Sequence, residues 1–473
     1  MNAPIARLFG LVIVLFALLV GFTSYWTVFA ADDLKGNEAN KRPQLESLRV
    51  ERGRILTSDG AVIARDRGDG KGASRVFERS YPQGELFAHP VGYSYLEEGQ
   101  TGIEDAFNDT LAGNKAEFLS ILDQLRGRRN EGDDVETTLD VDAQRTALSA
   151  LGGRPGAVVA LEPKTGRVRV MASNPSYDPN AIPRRLSELN SSSGAPVVNR
   201  ATQSQYPPGS TMKVVTAAAA LDSGRFNPSS TLDGSSPQDI SGVPLANFGG
   251  ESFGPVDLTA ALTNSVNTVW AQVAVQLGDS TMFRYMKRFG FYDEPPLEYP
   301  ANQLAVSGVR GEGGKLLDDA GKVDIGRVGI GQGGLLVTPL QMALVVGTVA
   351  NGGQMMRPQL VETIRDPDGR SSDELEPDKL RRVMSAKAAG QLRDMMTNVV
   401  KEGSGTAAAL EGIDVAGKTG TAEVGGRNQP WFVAFAPSDK PTVAIAATVE
   451  RSDGTGGEVA APIAKRVMQE LLK

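Results

Sequence analysis

From residue 8 to residue 31 the chain reads LFGLVIVLFALLVGFTSYWTVFAA, without one Asp, Glu, Lys or Arg. At about 1.5 Å per residue a helix of that length exceeds the roughly 30 Å hydrocarbon core, so the pattern predicts one membrane span. Arg7 precedes it, Asp32 and Asp33 follow, and Tyr25 and Trp26 lie near its far end. That arrangement puts residues 1–7 in the cytoplasm and everything after the span outside. Val28-Phe29-Ala30 leaves a cleaved leader as the alternative, although the apolar stretch exceeds the usual signal core. Residues 32–135 are polar and broken by glycines, with strand-like Ala61-Val62-Ile63-Ala64 after the turn Ser58-Asp59-Gly60 and a charged connector over 126–134.

A second unit, 136–473, opens with a helix candidate over 141–148. Two apolar runs follow, 157–161 and 168–172, joined as a hairpin through Glu162-Pro163-Lys164-Thr165-Gly166-Arg167. Helical patterns cover 214–221, 258–277, 335–349 and 461–472; 431–436 and 442–449 read as strands; the Ser-rich stretch 187–196 reads as a loop. Strands at both ends with helices between them predict an α+β fold, a sheet assembled from distant pieces and flanked by helices.

Composition narrows the chemistry. The 473 residues contain no cysteine and one histidine, His89, so thiol catalysis, disulfide scaffolds, Cys zinc sites and His relays are excluded. An enzyme with this sequence takes its base from Lys, Asp, Glu or Tyr. A net charge of -7 argues against nucleic-acid binding.

Three motifs carry chemistry. Ser210-Thr211-Met212-Lys213 follows Tyr206-Pro207-Pro208-Gly209 at a helix start, so residues three apart share a face and the Lys213 ammonium is expected to reach the Ser210 hydroxyl. A serine is a weak nucleophile until a neighbour takes its proton, which a lysine of lowered pKa can do. No other lysine in the chain has a serine three residues before it. Ser265-Val266-Asn267, the chain's single Ser-x-Asn, offers a hydroxyl for proton transfer and an amide for holding a lysine and a substrate amide. Lys418-Thr419-Gly420-Thr421 lies in a strand-like run, whereas the same triplet at Lys164-Thr165-Gly166 follows Pro163 and reads as a turn.

Together the motifs resemble the SxxK, SxN and KTG set of penicillin-binding proteins and serine β-lactamases. Further stretches, among them 156–166, 173–179, Gly329-Ile330-Gly331-Gln332 and 337–341, resemble the transpeptidase domain of class B penicillin-binding proteins. Arg52-Gly53-Arg54-Ile55 and Thr101-Gly102-Ile103-Glu104 resemble that family's non-catalytic pedestal, and the start of the chain is most similar to the actinobacterial penicillin-binding protein A group. The resemblance implies the transpeptidase/serine β-lactamase-like fold, an antiparallel sheet flanked by helices plus a helical subdomain. The implied layout is a tail 1–7, an anchor 8–31, a pedestal 32–135 and a transpeptidase domain 136–473.

It also implies roles: Ser210 as nucleophile, Lys213 as base, Ser265 and Lys418 in proton transfer and Asn267 holding the donor peptide. Thr419 and Thr421, with Lys418, would bind the terminal carboxylate along the strand that Gly420 continues, and backbone N–H groups of Ser210 and Thr421 would form the oxyanion hole. Substrates are then peptidoglycan stem peptides and β-lactams, without cofactor or metal, and a polytopic glycan-polymerising glycosyltransferase is the expected partner. Alternatives are a D,D-carboxypeptidase, a β-lactamase, a sensor or a catalytically silent β-lactam-binding divisome scaffold. Glu188-Leu189-Asn190 precedes Ser210, the wrong side for a deacylating glutamate. Val266 stands where the family often has a small or polar residue, and His89 reads as structural.

Overall fold

The computed structural model describes residues 2–26, 48–70, 75–113, 131–317 and 323–473. One compact unit comprises Met1–Glu51 and Arg67–Glu78, the other Arg52–Asp66 and Arg79–Lys473. The first contains the helix Asn2–Ser24, whose stretch Pro4–Ser24 has a mean hydropathy of 2.6 and no buried side chains. The helix starts ahead of the expected span, since a proline in the first turn is tolerated. Residues 27–31 of that span, Asp32 and Asp33, and residues 126–130 of the charged connector lie outside the described residues.

The second unit is built on five strands: β1 Gly156–Leu161, β2 Val168–Asn174, β3 Ala416–Val424, β4 Arg427–Ala436 and β5 Val443–Val449. They run antiparallel in the order β3-β4-β5-β1-β2, so the C-terminal strands lie beside the N-terminal hairpin and β5 pairs with β1. Every residue of β1 and β5 is buried, because both faces are covered. Val159, Leu161, Val433 and Phe435 face the core containing helices Lys213–Asp222 and Pro339–Ala350. Val158, Ala160, Phe432 and Ala434 face the opposite core, with helices Val141–Leu151 and Ala461–Leu471. Alternation therefore persists at period two, but both faces are apolar and the strands read as continuous runs. The α+β expectation holds in this sheet.

Three elements differ from expectation. The stretch 187–196 is not wholly a loop: its first half ends the helix Ile182–Ser191, which buries Ile182, half-buries Leu186 and Leu189 at helical spacing, and pairs Arg185 with Glu188 at 2.6 Å. The pattern over 335–349 splits, Leu335–Leu336 pairing with Gly308–Val309 while the helix is Pro339–Ala350, capped by Thr338. The pattern over 258–277 is two helices, Leu258–Thr263 and Asn267–Leu277, broken at the SxN motif.

A smaller sheet joins chain segments far apart in sequence. Ile55–Leu56 pairs antiparallel with Val62 and Ala64 and parallel with Asp134–Thr137, which pairs in turn with Val361–Arg365. Beside it, Arg79 Nε donates to Glu104 at 2.6 Å, Arg79 also meets Asp66 at 3.1 Å, and Arg52 meets Glu104 at 3.0 Å. Burial alone would raise the Glu104 carboxyl, but the two arginines outweigh it and hold it below the usual range. The Arg52 and Glu104 stretches, separate in sequence, are thus two halves of one buried ion cluster.

Candidate active site

Pro207 and Pro208 prevent regular pairing beyond Tyr206, whose backbone bridges to Val337, and Gly209 at φ +52° turns the chain into a 3-10 turn, Gly209–Met212. The α-helix Lys213–Asp222 follows directly. It is alanine-rich and buried from Lys213 to Leu221, so the lysine is held in a helix with no solvent-facing side. The loop is anchored from outside: Trp431 Nε1 donates to Pro207 O at 3.0 Å, and Tyr206 OH to Glu450 at 2.6 Å, a carboxylate that also accepts from Arg200 at 2.8 Å. Sequence reading missed Arg200, Trp431 and Glu450; only Tyr206 lay beside a motif.

The break between the two SxN helices has a local cause. Ser265 adopts φ +59°, its N–H donates to Leu262 O at 3.2 Å, and the Val266 N–H donates to Ala261 O at 2.9 Å. This pair of bonds is the Schellman closure of a helix C-terminus, here with serine where glycine is usual. Val266 follows it into the core, 1% exposed, which accounts for an apolar middle residue. A residue other than glycine in this region costs on the order of 1–3 kcal/mol, and the result is a serine hydroxyl and an asparagine amide presented together.

Strand β3 brings the third motif alongside. Lys418, Thr419, Gly420 and Thr421 pair with Val433, Phe432, Trp431 and Pro430. A Cβ on Gly420 would stand 2.6 Å from Pro208 O, so that glycine lets the strand touch the nucleophile loop of its own chain.

The motifs converge on Ser265. Lys213 Nζ donates to Ser265 O at 2.7 Å, Ser265 Oγ at 3.1 Å and Asn267 Oδ1 at 2.7 Å. Lys418 Nζ donates to Ser265 Oγ at 2.9 Å and Thr419 O at 3.1 Å. The expected Lys213–Ser210 contact is not among these: all three donor positions of Lys213 are directed at the SxN turn. Both lysines are fully buried, and neither pairs with a carboxylate among the described residues. Burial pulls Lys418 down to about 7, and burial followed by the neighbouring Lys418 charge pulls Lys213 well below the lysine range. A neutral Lys213 has two N–H groups, and two carbonyl-type oxygens take both at 2.7 Å, leaving a lone pair able to accept a proton. With Lys213 neutral, Ser265 Oγ accepts from Lys418 alone, and its own proton faces the Lys213 nitrogen at 3.1 Å. Thr421 Oγ1 accepts from the Gly456 N–H at 3.1 Å, which leaves its proton directed elsewhere. Glu188 is exposed on the helix Ile182–Ser191, occupied with Arg185. His89 is buried against Tyr177, its ring lowered to about 4 by burial, and its Nε2 lies 3.2 Å from Pro175 O.

Residues 156–469 match the penicillin binding protein transpeptidase domain, and residues 52–135 the penicillin binding protein A dimerisation domain. The peptidoglycan D,D-transpeptidase PbpA of Mycolicibacterium smegmatis is 35% identical over 100% of this chain and 99% of its own, and that of Mycobacterium tuberculosis 34% over the same shares. The penicillin G acyl-enzyme complex of M. tuberculosis penicillin-binding protein A superposes with a TM-score of 0.80 at 32% identity, covering 90% of this chain and 100% of that one. With the three motifs gathered on one serine and the matches spanning both segments, the chain belongs to the penicillin-binding protein transpeptidase family.

Proposed function

We propose that this protein is a peptidoglycan D,D-transpeptidase that works through a Ser210 acyl-enzyme. The observation that carries the reading is the pair of buried lysines, unmatched by any carboxylate among the described residues, meeting at Ser265 beside the Ser210 turn. Ser210 Oγ attacks the carbonyl between the two terminal D-alanines and its proton passes to neutral Lys213. The C–N bond then breaks, and D-alanine leaves with a proton from Ser265, which Lys418 or Lys213 replaces. A side-chain amine of a second stem peptide attacks the ester, forms the cross-link and frees Ser210. Asn267 holds the donor peptide, and the N–H groups of Ser210 and Thr421 stabilise the oxyanion. Lys418, Thr419 and Thr421 meet the terminal carboxylate, with Gly420 keeping their strand against the nucleophile loop. Hydrogen bonding of Lys213 to Ser265 and Asn267 supports its role through the proton count; its move to Ser210 accompanies substrate binding, where catalytic contacts tighten.

In the same reading, the segment 8–31 anchors the protein in the cell membrane with residues 32–135 as a pedestal and 136–473 catalytic outside the cytoplasm, beside a glycan-polymerising glycosyltransferase. Intact mass after incubation with penicillin G tests the core of the proposal. Wild type gains one penicillin mass and Ser210→Ala gains none; an unmodified wild type, or an adduct on the variant, overturns it.

A further inference from the structure

The loop between helix Ala386–Lys401 and the 3-10 turn Thr406–Ala408 belongs to none of the three motifs, yet it lies between two of them. The Ser404 N–H reaches Thr263 O at 3.4 Å, at the end of the helix that precedes Ser265, and Ser404 Oγ lies 2.6 Å from Thr419 Oγ1. The glycines around it leave no room to shift. A Cβ on Gly403 would stand 2.4 Å from Thr263 O, and one on Gly457 would stand 2.7 Å from Ser404 O.

Proton counting leaves the pair one donor to spare. Two hydroxyls carry two protons, and the bond between them uses one. Thr419 Oγ1 has one further contact, Lys418 Nζ at 3.5 Å, where the lysine is the donor. Ser404 Oγ has no other hydrogen-bond partner among the described residues, and Ser404 is exposed while Thr419 is 7% exposed. When Thr419 donates to Ser404 the surplus donor is the Ser404 O–H, and in the reverse order it is the Thr419 O–H, so the pair always holds one proton for a third partner. Thr421, two residues along β3, has a free O–H by the same count. The strand edge thus presents two hydroxyl donors, backed by a buried lysine, to whatever anion enters.

Resting on the transpeptidase reading above, we propose that Ser404 is a further substrate-positioning residue, whose hydroxyl extends the Thr419–Thr421 cradle and donates to the C-terminal carboxylate of the donor peptide. A hydroxyl donates more strongly to an anion than to a neutral oxygen, so its contribution is larger when the ligand carries a negative charge at that end.

The test uses two thioesters of N-benzoyl-D-alanine, one with mercaptoacetic acid and one with mercaptoacetamide, and follows thiol release by the full-length protein. Wild type prefers the acid. Ser404→Ala lowers kcat/KM for the acid about tenfold, mainly through KM, as for loss of one charge-assisted hydrogen bond, and lowers that for the amide much less. Ser404→Thr recovers the preference for the acid. Equal losses on both probes, or no loss on the acid, overturn the inference while leaving the parent reading intact. A wild type that turns over neither probe and takes no penicillin adduct overturns both.

Discussion

Lys-Thr-Gly occurs twice in this chain, and the two copies differ in everything except their letters. At 164–166 the lysine is exposed, Thr165 donates to Glu162 at 2.8 Å, and Gly166 turns the chain at φ +82°. Its side-chain bond closes within the hairpin, while Gly166 O accepts from the Gln359 N–H at 3.0 Å. At 418–420 the lysine is fully buried in β3, and its hydroxyl partner Ser265 lies 153 positions away in sequence. The first copy is satisfied by its own turn, whereas the second exposes groups that its strand cannot satisfy. Chemistry follows from that difference in register and burial, because a lysine in water keeps its proton and a lysine out of water holds it poorly.

The largest test of the contrast removes the buried copy's charge. Lys418→Ala is expected to slow acylation by penicillin G at least about 100-fold, since it takes away the proposed proton-transfer partner and the proposed cation at the carboxylate. A rate within a few-fold of wild type would reduce β3 to a structural strand.

The buried lysine also opposes folding, which gives a second test of opposite sign. Its folded value of about 7 lies below the ordinary 10.5, so between those limits the unfolded chain binds more protons than the native one and stability rises with pH. The penalty is complete below about pH 7 and disappears as the pH approaches 10.5. Lys418→Met is therefore expected to be more stable than wild type at pH 7, by of the order of 1–4 kcal/mol, while failing to acylate. The gain shrinks on raising the pH toward 10. A variant less stable at pH 7, or a gain independent of pH, contradicts the assigned burial cost.

How far each feature could be read from sequence depends on how local its cause is. Strands β1 and β2 and their turn were legible, because apolar runs and Pro-Gly turns are short-range signals, and so were the three motifs whose residues Lys213, Ser265, Asn267 and Lys418 meet in the structure. The break at Ser265 was not: a left-handed closure is normally announced by glycine, and here the position carries the hydroxyl instead. Lys213 bonding to the SxN turn rather than to Ser210 was equally hidden, since helix spacing gives which residues share a face but not which partners arrive from elsewhere. Ser404, Trp431 and Glu450 lie 194, 221 and 240 positions after Ser210, hundreds of ångströms of extended chain, so no window around that serine contains them.

The smallest expected effects belong to the turn copy and separate its glycine from its lysine. Gly166→Ala places a Cβ about 2.0 Å from Arg357 O in a backbone region that alanine disfavours, so the protein loses stability, on the order of 1–3 kcal/mol, by thermal melting. Its remaining folded fraction acylates at the wild-type rate, because nothing in the turn touches the Ser210–Lys418 arrangement. Lys164→Ala changes neither melting nor acylation measurably, since its side chain is exposed and the turn is held by Thr165, Glu162 and Gly166. If Lys164→Ala slowed acylation while leaving the melting curve unchanged, local hydrogen-bond closure would no longer separate a structural Lys-Thr-Gly from a catalytic one, and the buried register of β3 would not be sufficient to explain why only one copy is reactive.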